Sequence, residues 1–220
     1  MAGDAEICAL LGDAAQGYGY RLSAEQCAQL AHYVTLTLRW GRIANLTGAT
    51  SAMVFAREQV VDCLAIVPHA GSGRLLDVGS GNGLPGLVLA IVLPALVVTL
   101  LEPRAKRARF LTQVRIELGL ANVEVVCARV EDHRPLHGYD TVLARAFGSL
   151  ATLLAACRGL LGADTRLLAM KAHLAATELA ECGLPATRVH AIALDVPGYG
   201  ERHLVVMDAA GGAAVGAFVP

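Results

Sequence analysis

Arg74-Leu75-Leu76-Asp77-Val78-Gly79-Ser80-Gly81-Asn82-Gly83-Leu84-Pro85-Gly86 decides how this chain folds. An apolar run enters a glycine-rich turn, and a second apolar run, Leu87 to Val92, leaves it. Glycine lets a backbone reverse tightly and approach a ligand, and Pro85 suits the first turn of a helix. The stretch therefore reads as strand, turn, helix. Outward from it the alternation repeats. VVTLLE (97–102), VEVVCA (123–128), YDTVLAR (139–145) and TRLLAMK (165–171) read as strands, and helices start near Pro85, Arg104, Ser149 and His173. Continuous apolar strands suit a parallel sheet covered on both faces, and RHLVVMD (202–208) suits an antiparallel closing strand. The expected class is α/β, Rossmann-like, with helices on both faces of the sheet.

Residues 1–70 read differently, as a helical extension. Ser23 and Gln26 have capping-box spacing, and Cys27, Leu30, Ala31, Val34 and Leu38 recur along one helical face, which predicts a helix over 24–39. A short helix around Ile7, Leu10 and Leu11 precedes it. Another, from Ser51 to Val67, ends at Pro68, after a loop over Gly41–Thr50. Residues 71–208 form the main domain, and 209–220, rich in alanine and glycine without periodicity, are expected to be a mobile tail.

Composition narrows the function classes. A chain of 220 residues, 55% hydrophobic and 17% charged, can bury one substantial core, and a net charge of -1 does not mark a nucleic-acid binder globally. The cysteines at 8, 27, 63, 127, 157 and 182 include no C-x-x-C pair, so no metal site is expected. They suit a reduced, cytoplasmic protein with buried, hydrophobe-like cysteines, Cys127 being read as core at the end of an apolar strand. The N-terminus has no signal-peptide pattern. Leu84 to Leu101 carries no charge, yet Pro85, Gly86 and Pro94 divide it into helix, turn and strand, so no membrane span is expected.

The chemistry lies at the strand ends. Glu102 closes VVTLLE at the edge where α/β sheets bind ligands and where a carboxylate can accept both hydroxyls of a ribose. Dinucleotide and S-adenosylmethionine sites share that acid. The loop separates them, because its glycines fall as G-x-G-x-G after Asp77 rather than as the G-x-G-x-x-G that seats a pyrophosphate. S-adenosylmethionine, which has no phosphate, needs only close backbone approach.

Beyond the loop, Asn45-Leu46-Thr47, LLDVGSGNGLPGLVLAIVLP, LLEPRAKRARFLTQVRIELGL, ARVED, LARAF, AMK and GERHLVV follow one another between 45 and 207. In these pieces the chain resembles the glucose-inhibited division protein B family, bacterial methyltransferases of small-subunit ribosomal RNA. The resemblance implies a class I methyltransferase with a seven-stranded sheet and S-adenosylmethionine as cofactor. It also implies methyl transfer to N7 of one guanine in a decoding-region loop of 16S ribosomal RNA, as RNA or in the small subunit. Carried over by motif, the cofactor contacts fall on Gly79, Leu84, Val130, Glu131 and Arg145, joining Asp77, Gly81 and Glu102. RNA contacts fall on Lys106, Arg107 and Lys171. Two positions depart. Glu58-Gln59 precede Asp62 where the family usually has Arg-His, and Glu102 stands where aspartate is more usual.

Guanine N7 carries an in-plane lone pair and no proton, so its attack needs positioning and no general base. Neither an Asn/Asp-Pro-Pro-aromatic signature nor a Pro-Cys nucleophile, the marks of other nucleic-acid methylations, is present. Arg145 is then read as a positioning group, because a guanidinium beside a ring becoming cationic would oppose the reaction. His203 reads as structural. A methyltransferase of small molecules or proteins, and a nucleotide-sensing protein without catalysis, are the alternatives.

Overall fold

The computed structural model describes residues 2–44, 46–198 and 200–208. Asn45 and the 209–220 tail lie outside them. The main domain is a seven-stranded sheet in the order β3-β2-β1-β4-β5-β7-β6, built from β1 (Arg74–Val78), β2 (Val97–Leu101), β3 (Val123–Val126), β4 (Thr141–Arg145), β5 (Arg166–Lys171), β6 (Val189–Leu194) and β7 (Arg202–Asp208). The first five run parallel, and β7 is antiparallel to both β5 and β6. β6 is the one strand without a signal in the sequence. It lies at an edge, where His190, Ala191 and Ala193 are exposed, and its apolar run, Ala191 to Leu194, is short and half alanine.

Within each buried strand, side chains alternate between two cores. Leu75, Val98, Leu100, Leu143 and Leu168 face one helical layer, whereas Leu76, Leu101, Val142, Ala144 and Leu167 face the other. The first layer contains α1 (Ala2–Gly17), α2 (Ala24–Ala44), α3 (Ala52–Phe55), α4 (Val61–Leu64), α5 (Gly86–Val92) and α6 (Ala105–Glu117). The second contains α7 (Leu150–Cys157) and the region of α8 (Ala176–Glu181). The N-terminal helices and α5 and α6 thus share one hydrophobic cluster.

The capping box of α2 forms reciprocally: Ser23 N donates to Gln26 Oε1 at 2.8 Å, and Gln26 N donates to Ser23 Oγ at 3.1 Å. Gln26 also reaches across to donate to Ile91 and Val92 carbonyls at the end of α5. That contact satisfies carbonyls which a helix terminus leaves without partners. α2 runs through Ala44, beyond the 24–39 expected, so the loop after it is shorter than Gly41–Thr50. Trp40, in that added length, packs on Phe110 of α6 with ring centroids 5.9 Å apart. Between α3 and α4 the helix widens into one π turn, Ala56–Val60. The helix expected near His173 begins at Ala176 instead.

Candidate functional site

Strand order reverses between β1 and β4, and the crevice outside their carboxyl ends is where such sheets take ligands. β1 delivers the glycine turn there. Gly79, Gly81 and Gly83 have φ of 71°, 59° and 96°, a region that side chains with Cβ rarely enter. The three differ in surroundings. A Cβ on Gly83 would lie 2.2 Å from Leu87 Cδ1, so this glycine serves packing. A Cβ on Gly79 would meet only Phe147 Cδ2 at 3.8 Å, and one on Gly81 nothing closer than 3.7 Å, so these two border open space.

The turn is pinned from three sides. Gly79 N and Ser80 N donate to Leu101 O at 2.8 and 3.0 Å, and Gly81 N donates to Glu102 Oε2 at 2.9 Å. Tyr33, fully buried in α2, donates its hydroxyl to Asn82 O at 2.9 Å. In the sequence Tyr33 reads as one more member of the helical stripe with Leu30 and Val34, and its hydrogen bond is not legible there. Glu102 is 3% exposed and accepts a second bond from Arg104 N at 2.9 Å. Each carboxylate oxygen has a further lone pair to offer. A left-handed turn beside open space, next to a carboxylate with spare acceptor capacity, fits the adenosyl part of S-adenosylmethionine.

Asp77 lies beneath the turn. Its Oδ2 accepts from Gly86 N at 3.0 Å, and its Oδ1 is buried without a hydrogen-bond partner. Burial pushes its carboxyl up to about 7, opposed by the Gly86 amide. Gly86 is required here because a Cβ would sit 2.6 Å from Asp77 Oδ2 and 2.4 Å from Leu100 Cδ2. Leu84 and Val130 are buried beside the loop and after β3, whereas Glu131 is exposed.

At the end of β4, Arg145 Nη2 lies 3.5 Å from Asp62 Oδ2, and Arg202 Nε of β7 lies 3.5 Å from Asp62 Oδ1. Burial raises the Asp62 carboxyl, and the two guanidiniums act against it. Asp62 therefore links α4 to two strands. Its one sequence signal is an acid inside the apolar run Val60-Val61-Asp62-Cys63-Leu64. Ala146, directly after Arg145, is the non-glycine residue with positive φ among those described, at 57°.

The expected RNA-facing residues divide. Lys106 is exposed near the start of α6, while Arg107 is half-buried with Nη1 3.7 Å from the place of a Gly81 Cβ, turned toward the loop. Lys171 is engaged: its ammonium donates to Gly148 O and, at 2.6 Å, to Glu178 Oε1, which also accepts from Leu150 N. Lys171 thus ties the β4–α7 connection to α8. Two cysteine expectations need correction. Cys127 is exposed, because β3 is an edge strand that ends at Val126, and Cys8 and Cys27 are only half-buried. Among the described residues no helix is long and apolar enough to cross a membrane, and no group of three or more His, Cys, Asp or Glu side chains could hold a metal ion.

The family model described as rRNA small subunit methyltransferase G matches residues 26–205. The chain belongs to this family. Ribosomal RNA small subunit methyltransferase G of Pseudomonas paraeruginosa is 44% identical over 201 residues, covering 90% of this chain and 93% of the relative. The protein of the same name from Nitrosospira multiformis is 40% identical over 211 residues, covering 91% and 97%. Among solved structures, the S-adenosylmethionine-dependent methyltransferase SibL in its apo form superposes with a TM-score of 0.59 at 20% identity, over 83% of this chain and 70% of that one. That likeness shows the fold of class I methyltransferases. Membership in the family makes S-adenosylmethionine the cofactor and methyl transfer the activity.

Proposed function

We propose that this chain methylates N7 of one guanine in a decoding-region loop of 16S ribosomal RNA in the cytoplasm. The observation that carries the reading is the left-handed turn at Gly79 and Gly81 beside the buried Glu102 at the β1–β4 crevice, in a chain of this family. S-adenosylmethionine, when bound, supplies an electrophilic methyl group. Glu102 accepts from the ribose, Gly79, Gly81 and Leu84 form the loop against the ligand, Asp77 holds that loop, and Val130 and Glu131 border the adenine side. Arg145, fixed by Asp62, positions the methionine end or an RNA phosphate.

Lys106, Arg107 and Lys171 meet phosphates from the same edge of the sheet, Lys171 by exchanging Glu178 for a phosphate oxygen. The helical extension, residues 1–70, braces the 71–208 domain, Tyr33 on the glycine loop and Asp62 on the ends of β4 and β7. Among the residues at the crevice none needs to act as base, since N7 has its lone pair free at neutral pH. Mapping N7-methylguanosine in 16S RNA from cells with and without this protein tests the assignment. One N7-methylguanosine should vanish with the protein and return on complementation. A methylated exocyclic amine or pyrimidine in its place would overturn the N7 reading.

A further inference from the structure

Beside the β1–β4 crevice a second recess of roughly 250 Å³ opens at the ends of β4 and β5 and the start of β7. Glu58, Asp62, Arg145, Met170, Arg202 and His203 line it. It has room for a flat ring of nucleobase size and lies below the roughly 300–1,000 Å³ of sites for drug-sized ligands. Polar capacity inside it is incompletely used. Asp62 is 6% exposed, and its Oδ1 has no hydrogen-bond partner even though Arg202 Nε lies 3.5 Å away. His203 Nδ1 is likewise buried without a partner. Glu58 is exposed and has no hydrogen bond or ion pair among the described residues. It sits on the π turn Ala56–Val60, a local widening that recurs at functional sites, one turn before Asp62.

We propose that this recess receives the methyl-accepting guanine and that the Glu58 carboxylate reads its Watson–Crick edge. The proposal rests on the guanine-N7 reading above. Among RNA bases only guanine presents two adjacent donors on that edge, N1–H and N2–H, and a carboxylate accepts two parallel donors. N7 lies on the opposite edge and stays free. In the transfer the N7 lone pair forms the new N–C bond, the electron pair of the broken C–S bond stays on sulfur, and the positive charge passes to the guanine with no proton moved. As the ring becomes cationic its N1–H grows more acidic, so the bond to Glu58 strengthens toward the transition state. Asp62, between Arg145 and Arg202, and Glu58 set two carboxylates against two guanidiniums that would otherwise repel that ring, while Lys171, also on the recess, is paired with Glu178.

Single-turnover methylation of reconstituted small subunits carrying guanosine or inosine at the target tests the proposal, since inosine lacks the N2 amino group. The parent should lose about tenfold or more in rate on inosine. Glu58→Gln should lose a similar factor on guanosine, lose little more on inosine, and bind S-adenosylmethionine like the parent. A Glu58→Gln enzyme that keeps the parent's guanosine-to-inosine ratio overturns the assignment of Glu58, while parental methylation at guanine N7 leaves the functional reading intact. A parent that leaves guanine N7 unmethylated sinks both.

Discussion

Two glycines in the same turn should fail in different ways when given a methyl group. At Gly83 the left-handed backbone, φ 96°, costs an alanine about 1–2 kcal/mol, and its Cβ would fall 2.2 Å from Leu87 Cδ1 and 3.0 Å from Leu111 Cδ2. Forcing those leucines aside adds about 1–3 kcal/mol, so Gly83→Ala should destabilise the fold by roughly 2–5 kcal/mol. Gly79, at φ 71°, carries the conformational cost alone, because Phe147 Cδ2 at 3.8 Å is an ordinary contact. Gly79→Ala should therefore lose about 1–2 kcal/mol of stability. Its S-adenosylmethionine affinity should fall about tenfold or more, since the added methyl enters the space left for the ligand. Urea denaturation measures the first quantity and calorimetry the second. Equal stability losses would refute the packing account of Gly83. Parental affinity in a folded Gly79→Ala protein would show that the ligand does not approach this turn.

Glu102→Ala removes the proposed ribose acceptor and should weaken S-adenosylmethionine binding by roughly 1.5–3 kcal/mol in calorimetry; unchanged affinity would remove Glu102 from the site. Asp77 provides a stability signature. With its carboxyl up at about 7 in the folded state and an ordinary value of 3.8, the folded chain keeps a proton that the unfolded chain has released. Stability should then fall as pH rises from about 4 to about 7, and Asp77→Asn should flatten that slope in denaturation curves. Identical slopes in parent and variant would contradict the buried titration. Lys106→Ala should lower the log-log salt dependence of 16S RNA binding by about one while cofactor affinity holds, and an unchanged slope would make Lys106 a solvated surface residue. Single-turnover rates with saturating cofactor and RNA should stay nearly flat from about pH 6.5 to 8.5, whereas a tenfold rise per pH unit would demand a base and count against N7.

The order of strands in the sheet could not be read from the sequence, whereas the strand-turn-helix at 74–92, six of the strands along the chain, and the acid closing VVTLLE all could. Each is local: apolar runs, glycines and a capping pair at Ser23 and Gln26 state a backbone preference within a few residues. Cys127 shows the limit of that kind of reading. Its apolar neighbours suggested burial, but burial at a strand end depends on which strand lies alongside, and β3 has a neighbour on one side only. β6 carries little signal because its exposed His190, Ala191 and Ala193 leave only a short, alanine-rich apolar run at the edge.

The site divides along the same line. By itself the sequence determined the loop, Glu102 and the family, because those depend on residue type and spacing over short stretches. Only the tertiary structure decided that Tyr33 holds Asn82, that Asp62 stands between Arg145 and Arg202, and that Lys171 is already paired with Glu178. Tyr33 and Asn82 are 49 residues apart, and Asp62 and Arg202 are farther apart still along the chain. A hydrogen bond or ion pair acts over a few ångströms whatever the separation in sequence, so such partners exist only once two layers of helices have closed on the sheet.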